Sequence, residues 1–177
     1  GLTVTTMEQM TFTEVADAIK RESIALLPIG TIEAHGPHLP LATDTLGALV
    51  IAELVRRKLR EKGIEAVIAP PCIYGCNALL DAFPGTINIR PETLKALIVD
   101  VCQSLQVQGF RTVILLNHHN DPPHVAAVEA AAREASHEDG PGVCFVLLVP
   151  RPLIDKVQMK SQRHVMVGPE PDVATTV

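Results

Sequence analysis

IALLPIGTIEAHGPHLPLATD, residues 24–44, sets the architecture of this chain. Its first six residues, Ile24–Ile29, are apolar without a break. That predicts a strand covered on both faces, as in a parallel sheet. The rest is a Gly/Pro-rich loop that carries Glu33, His35, His38 and Asp44 within twelve residues. Two carboxylates and two imidazoles form the donor set of a divalent-metal site. Imidazole suits zinc and iron, carboxylate suits manganese and magnesium, and an aspartate can bridge two ions.

Outward from this run the pattern alternates. Residues 45–62 carry Leu46, Leu49, Val50, Leu54, Val55 and Leu59 at helical spacing, and Gly63 is a natural stop. Residues 65–69 read as a second strand. Residues 70–90 form a long irregular segment, a length that in a compact domain is usually functional. Pro91 suits the first turn of a helix that Gly109 ends. Residues 112–116 (TVILL) read as a third strand, and LNHHND at 116–121 forms a second polar cluster. Pro122 and Pro123 open a helix to about Ala135, and residues 143–149 make a further strand. Upstream, Thr13 is the expected cap of a short helix reaching Glu22.

The order β-α-β-α-β-α-β predicts a three-layer α/β domain, a mostly parallel central sheet with helices on both faces, spanning 1–177 with an atypical part from about 150. Ligands of such sheets bind beyond the carboxyl ends of the strands, where the strand order reverses. Both polar clusters lie at strand carboxyl ends, so one site built from the two is expected. No Gly-rich phosphate loop follows the first strand, which argues against a flavodoxin-like nucleotide module.

Composition narrows the function. Apolar residues make up 47% of 177, enough for a sizeable core. A net charge of −5 and 3% aromatics give neither a phosphate-binding face nor a base-stacking platform, so no nucleic-acid partner is expected. No apolar run approaches the ~18 residues of a membrane span. Cys72, Cys76, Cys102 and Cys144 are scattered and read as reduced thiols, mostly buried, of a cytoplasmic protein.

GTIEAHGPHLPLATD at 30–44 resembles the signature of the creatininase (creatinine amidohydrolase) family, a close variant of G-S/T-x-E-x-H-G-P-H-L-P-x-x-T-D. FPGTINI at 83–89 resembles that family's FPGT segment, and NHHND at 117–121 its Asn-x-His segment. The resemblance implies a parallel α/β fold, two divalent metals (zinc foremost, with manganese or iron as alternatives), and hydrolysis of a C–N bond other than a peptide bond in a small amide, lactam or formamide, with a metal-bound hydroxide as nucleophile. It implies Glu33, His35, Asp44 and His119 as ligands, with Asp44 bridging, and Asp121 as the fifth. It also implies a homo-oligomer. Three carboxylates would offset most of the charge of two cations about 3.5–4 Å apart.

Other residues keep two readings. Asp44 could instead cap the following helix. His38 either orients a ligand or holds the loop. His118 either lines the pocket or packs. His124, one turn into its helix, either faces the site or is exposed. His137 and His164 read as surface histidines, and Glu129 and Glu134 as solvated helix faces. Family members carry a C-terminal motif close to G-H-A-G-x-x-E-T-S. The best match here is GPEPDVATT at 168–176, with Pro169 at the His position and Ala174 at the Glu position. Leu80 stands where a His commonly precedes the FPGT segment. A poorer register would put His164 and Glu170 in those roles, so the proton donor for the leaving nitrogen falls to His118, His124 or His164, or to a metal-bound water. The rival reading is a non-catalytic relative that keeps the metal- or ligand-binding scaffold.

Overall fold

The computed structural model describes residues 4–137, 140 and 142–147. The elements are α1 (Phe12–Lys20), β1 (Ile24–Ile29), α2 (Thr43–Glu61), β2 (Ala66–Ile68), α3 (Pro91–Gln108), β3 (Thr112–Asn117), α4 (Pro122–Ala135) and β4 (Gly142–Leu147). The four strands form one sheet in the order β2-β1-β3-β4, and every pairing is parallel. The three-layer α/β expectation holds. The end of the last expected strand, the atypical part from 150, and Pro169, Ala174, His164 and Glu170 lie outside the described residues.

The two faces are separate cores. Ala25, Leu27, Ile29, Val113, Leu115 and Phe145 pack against α1, α3 and α4 through Ala18, Leu94, Ile98, Cys102, Val128 and Ala131. Leu26, Ile68, Leu116 and Val146 face the other way, toward Ala52 of α2. The continuous apolar run of β1 thus serves both faces by alternation. Pro28 is tolerated in this central strand because it lies just past the last β1–β2 pair, Leu26↔Ile68. Its carbonyl accepts from Cys72 N–H at 2.9 Å.

Several boundaries match their chemical signals. Pro91 opens α3, and Gly109, in the left-handed region at φ 118, ends it. At α1 the cap is Thr11 rather than Thr13: Glu14 reaches back to Thr11 N–H at 2.6 Å in a capping box, which fixes the start of the helix; it ends at Lys20, before the expected Glu22. The apolar stripe of α2 also divides differently. Ala48 and Ala52 are buried, while Leu46, Val50 and Leu54 stand about half exposed. Small residues let this helix approach the sheet closely. Beside them Glu53, almost fully buried, accepts from Arg56 Nε and Nη2 and from Arg57 Nε at 2.7–2.9 Å. No helix among the described residues is long and apolar enough to cross a membrane.

Strand β2 lies on one side of β1 and β3 on the other, so the order reverses between β1 and β3. Both polar loops leave the sheet at that point.

Candidate metal centre

The loop after β1 is held from three sides. Gly30 meets the first turn of α2 so closely that a Cβ would sit 2.4 Å from Thr45 Cα and N. That approach brings Asp44, in the first turn of α2, onto the end of β1. Glu33 N–H donates to Leu41 O at 3.0 Å and closes the loop. From residues 70–90, Thr86 Oγ1 accepts from Ala34 N–H at 3.0 Å, and Ile87 N–H donates to Ile32 O at 2.9 Å. The long segment is therefore a clamp on the first loop. On the other side, His118 N–H donates to Ile29 O at 2.9 Å and ties the second cluster to the first.

Glu33, His35, Asp44 and His119 converge, although 75 positions separate Asp44 from His119. His35 Nε2 lies 3.2 Å from Asp44 Oδ1 and 3.6 Å from Glu33 Oε1. His119 Nδ1 lies 3.1 Å from Asp44 Oδ2 and 3.2 Å from Glu33 Oε1. The two oxygens of Asp44 thus face different histidines. Ligand atoms of Glu33, His35 and Asp44 all fall within 4.8 Å of one another.

The far side of each imidazole is equally informative. His35 Nδ1 donates to Glu33 O at 3.1 Å, and His119 Nε2 donates to Cys76 O at 2.9 Å. A carbonyl only accepts, so each ring spends an N–H there and turns its other nitrogen toward the carboxylates. Histidines that hold metals are oriented in this way.

His118 and His124 part company. His118 is partly exposed and lines the same cavity, with Nδ1 3.5 Å from Asp44 Oδ1. His124 is neither exposed nor open to the cavity. It is fully buried behind His119, ring centroids 4.6 Å apart and nearly perpendicular. Its Nδ1 accepts from Cys76 N–H at 3.3 Å, and its Nε2 donates to Asn117 Oδ1 at 3.0 Å. With both nitrogens committed and no path to substrate, His124 does not fit the proton-donor role expected of it. Asp121 precedes α4 at its N-cap position, makes no capping bond, and stands half-buried on the cavity wall. His38 is exposed and lies over Gly36. His137 is exposed, while Glu129 and Glu134 pair with Arg133 and Lys95. All four cysteines are free; Cys76 and Cys102 are buried, and Cys144 is exposed.

Electrostatics follow from burial and contact. Burial opposes the charge on Asp44, but His118 and His119 outweigh it and hold its carboxyl well below the usual range. Burial alone would lower His119; its contacts with Asp44 and Glu33 raise it to about 10. His124 is pushed down to about 3 by burial and by the neighbouring His119, so it is neutral. Burial raises the Cys72 and Cys76 thiols to about 11.

The donor set fits divalent cations. Charge-assisted N–H···O contacts usually close to about 2.7–2.9 Å. Here the imidazole–carboxylate separations run from 3.1 to 3.6 Å. A tetrahedral shell with bonds of about 2.1 Å has ligand–ligand edges of roughly 3.4 Å. Asp44 Oδ2 and His118 Nδ1 are buried with no hydrogen-bond partner. Asn77 was not foreseen. It is a buried residue of the same cavity wall; its Nδ2 donates to Ile87 O at 2.6 Å and its buried Oδ1 has no hydrogen-bond partner. That cavity, about 350 Å³, is lined by these groups with Leu79, Leu80 and Asn120. A cleft of about 420 Å³ beside β2, among Arg21, Arg56 and Arg60, shares none of them.

A family profile described as creatinine amidohydrolase matches residues 8–170. The chain belongs to the creatininase family. A mycofactocin precursor peptide peptidase of Mycolicibacterium smegmatis is 35% identical over 124 residues, 70% of this chain and 50% of the relative. A 3-dehydro-scyllo-inosose hydrolase of Thermotoga maritima is 30% identical over 113 residues, 63% of this chain and 35% of the relative. The chain thus spans half or less of the length of these two creatininase-family relatives. Two solved structures, a creatininase Mn form and a mutant creatininase of Zn-Zn type, each superpose with a TM-score of 0.66 at 24% identity. Each covers 81% of this chain and 58% of the other, which shows the shared fold.

Proposed function

We propose that this chain is a metal-dependent hydrolase that cleaves a C–N bond in a small molecule. Glu33, His35, Asp44 and His119 would hold two divalent ions, with Asp44 between them and Asp121 as the fifth ligand from the cavity wall. Zinc is the first candidate and manganese or iron the alternatives. The observation that carries the reading is the pair of imidazoles, each anchored to a carbonyl and each turned toward both carboxylates. Ions bound there would acidify a coordinated water and polarise a substrate carbonyl.

The protein's own groups supply the rest. The Glu33 and Cys76 carbonyls fix the two imidazole rings. Leu79, which is 82% exposed, and Leu80 give the cavity an apolar rim, and Asn77 and Asn120 line it with polar groups suited to a small polar substrate. Amides, lactams and formamides remain the proposed class. One relative is named as a peptidase, so short peptides belong in the assay beside them. A homo-oligomer in the cytoplasm completes the proposal.

The test is metal content and turnover measured together. Loading with Zn²⁺ or Mn²⁺ should give about two ions per chain and hydrolysis of a member of a panel of formamides, lactams, inososes and short peptides. Asp44→Ala should lose tight binding of at least one ion. Full loading with no turnover on any member would favour the non-catalytic relative.

A further inference from the structure

His118 has a place in the site that proton delivery does not explain. Its Nδ1 is buried, lies 3.5 Å from Asp44 Oδ1, and has no hydrogen-bond partner. His35 Nε2 approaches the same oxygen at 3.2 Å. The His118 ring rests on Gly47, one turn along α2 from Asp44. A Cβ at that position would come 2.8 Å from Cε1 and 3.0 Å from Nδ1. Glycine inside a helix is unfavourable, yet here it makes the notch that lets the imidazole lie against Asp44. With the ring proton on Nε2, Nδ1 would turn a lone pair toward a buried carboxylate oxygen, an approach that a cation held between or beside them would compensate.

We propose that His118 Nδ1 is a further ligand to the divalent ion held by His35 and Asp44 Oδ1. The proposal rests on the metal-centre reading above. It makes the two ion positions unlike. One would be nitrogen-rich, with His35 and His118, and suited to zinc or cobalt. The other would have His119 as its imidazole among carboxylates, and be suited to manganese. Ligation also removes His118 from the role of proton donor.

Co²⁺ titration of the full chain tests this, read by equilibrium affinity and by the visible absorption of the bound ion, which reports its ligands. Loss of an outer partner of a metal ligand typically weakens binding 10–100-fold, so loss of a ligand in His118→Ala should weaken one Co²⁺ by at least about 100-fold, change its spectrum and leave the second ion bound. Gly47→Ala keeps the imidazole but displaces it, favours the helix, and should move affinity and spectrum the same way. Unchanged affinity and spectrum in both variants would overturn the proposal. So would weaker binding with an unchanged spectrum, which would make His118 a positioning residue. If the unsubstituted protein takes up no Co²⁺, the metal centre itself is refuted.

Discussion

Replacing His124 with Phe separates scaffold from chemistry. The ring volume and the perpendicular contact with His119 survive, but two buried hydrogen bonds go. Cys76 N–H loses its acceptor at 3.3 Å. Asn117 Oδ1 loses its donor at 3.0 Å and keeps only His119 N–H at 3.4 Å. A buried group left unpaired costs about 1–3 kcal/mol. The Cys76 amide falls in that range and the partly satisfied Asn117 oxygen at its low end. Burying Phe instead of imidazole returns a little, so the net loss is about 2–3 kcal/mol. In Tm this is roughly 4–12 °C for a chain of this size.

The effect should also reach the metal. His119 is aimed through Cys76 O and through Asn117 Nδ2, which donates to His119 O at 2.7 Å. Loosening such partners typically weakens metal binding about 10–100-fold. Denaturant unfolding of the metal-free protein and competition with a chromogenic chelator measure the two quantities. Stability within about 0.5 kcal/mol of the unsubstituted protein, the scatter of an ordinary surface change, would refute the scaffold role. A hundredfold loss of turnover with stability and metal binding intact would instead restore His124 as a proton carrier.

Two further predictions follow from the same contacts. The folded-state pKa of His119, about 10 without metal, lies above its ordinary value of 6.5. Its contribution to stability is therefore complete below about pH 6.5 and is lost as pH rises through 10. At about 1.4 kcal/mol per unit, it is on the order of a few kcal/mol. Unfolding of chelator-treated protein between pH 6 and 10 should show that decline, and the same proton must leave when metal binds, so metal affinity should rise with pH. Gly30→Ala places a methyl group 2.4 Å from the Thr45 backbone, so it should push α2 off β1 at a cost of about 3 kcal/mol or more and weaken metal binding. A fully stable variant would mean that Asp44 is not positioned by this approach.

The sheet was legible because its signals are one-dimensional. Ile24–Ile29 is an apolar run that both cores use, and Pro91 and Gly109 bound α3 by their backbone constraints. The stripe on α2 misled because large side chains dominate any hydropathy count. Close packing on the sheet instead selects Ala48 and Ala52, with Leu46, Val50 and Leu54 left outward. Glu53 can be buried beside these alanines because Arg56 and Arg57 neutralise it. At the site, the convergence of Glu33, His35, Asp44 and His119 followed from two polar loops at strand ends. The carbonyls of Glu33 and Cys76 that aim the imidazoles carry no side-chain signature, and so left no trace in the sequence. His124 was missed as a buried partner because the turn from β3 into α4 folds it back behind His119. Gly47 could have been noticed as a glycine inside a helix, but only the ring of His118 explains it.

The most direct test of the account is crystallographic. Crystals grown with Zn²⁺ or Mn²⁺ and measured across the absorption edge should show two anomalous peaks flanking Asp44. One should lie toward His35 and one toward His119, with Asp121 within bonding distance of an ion. Peaks remote from Asp44, or none between these histidines in a metal-loaded crystal, would contradict it.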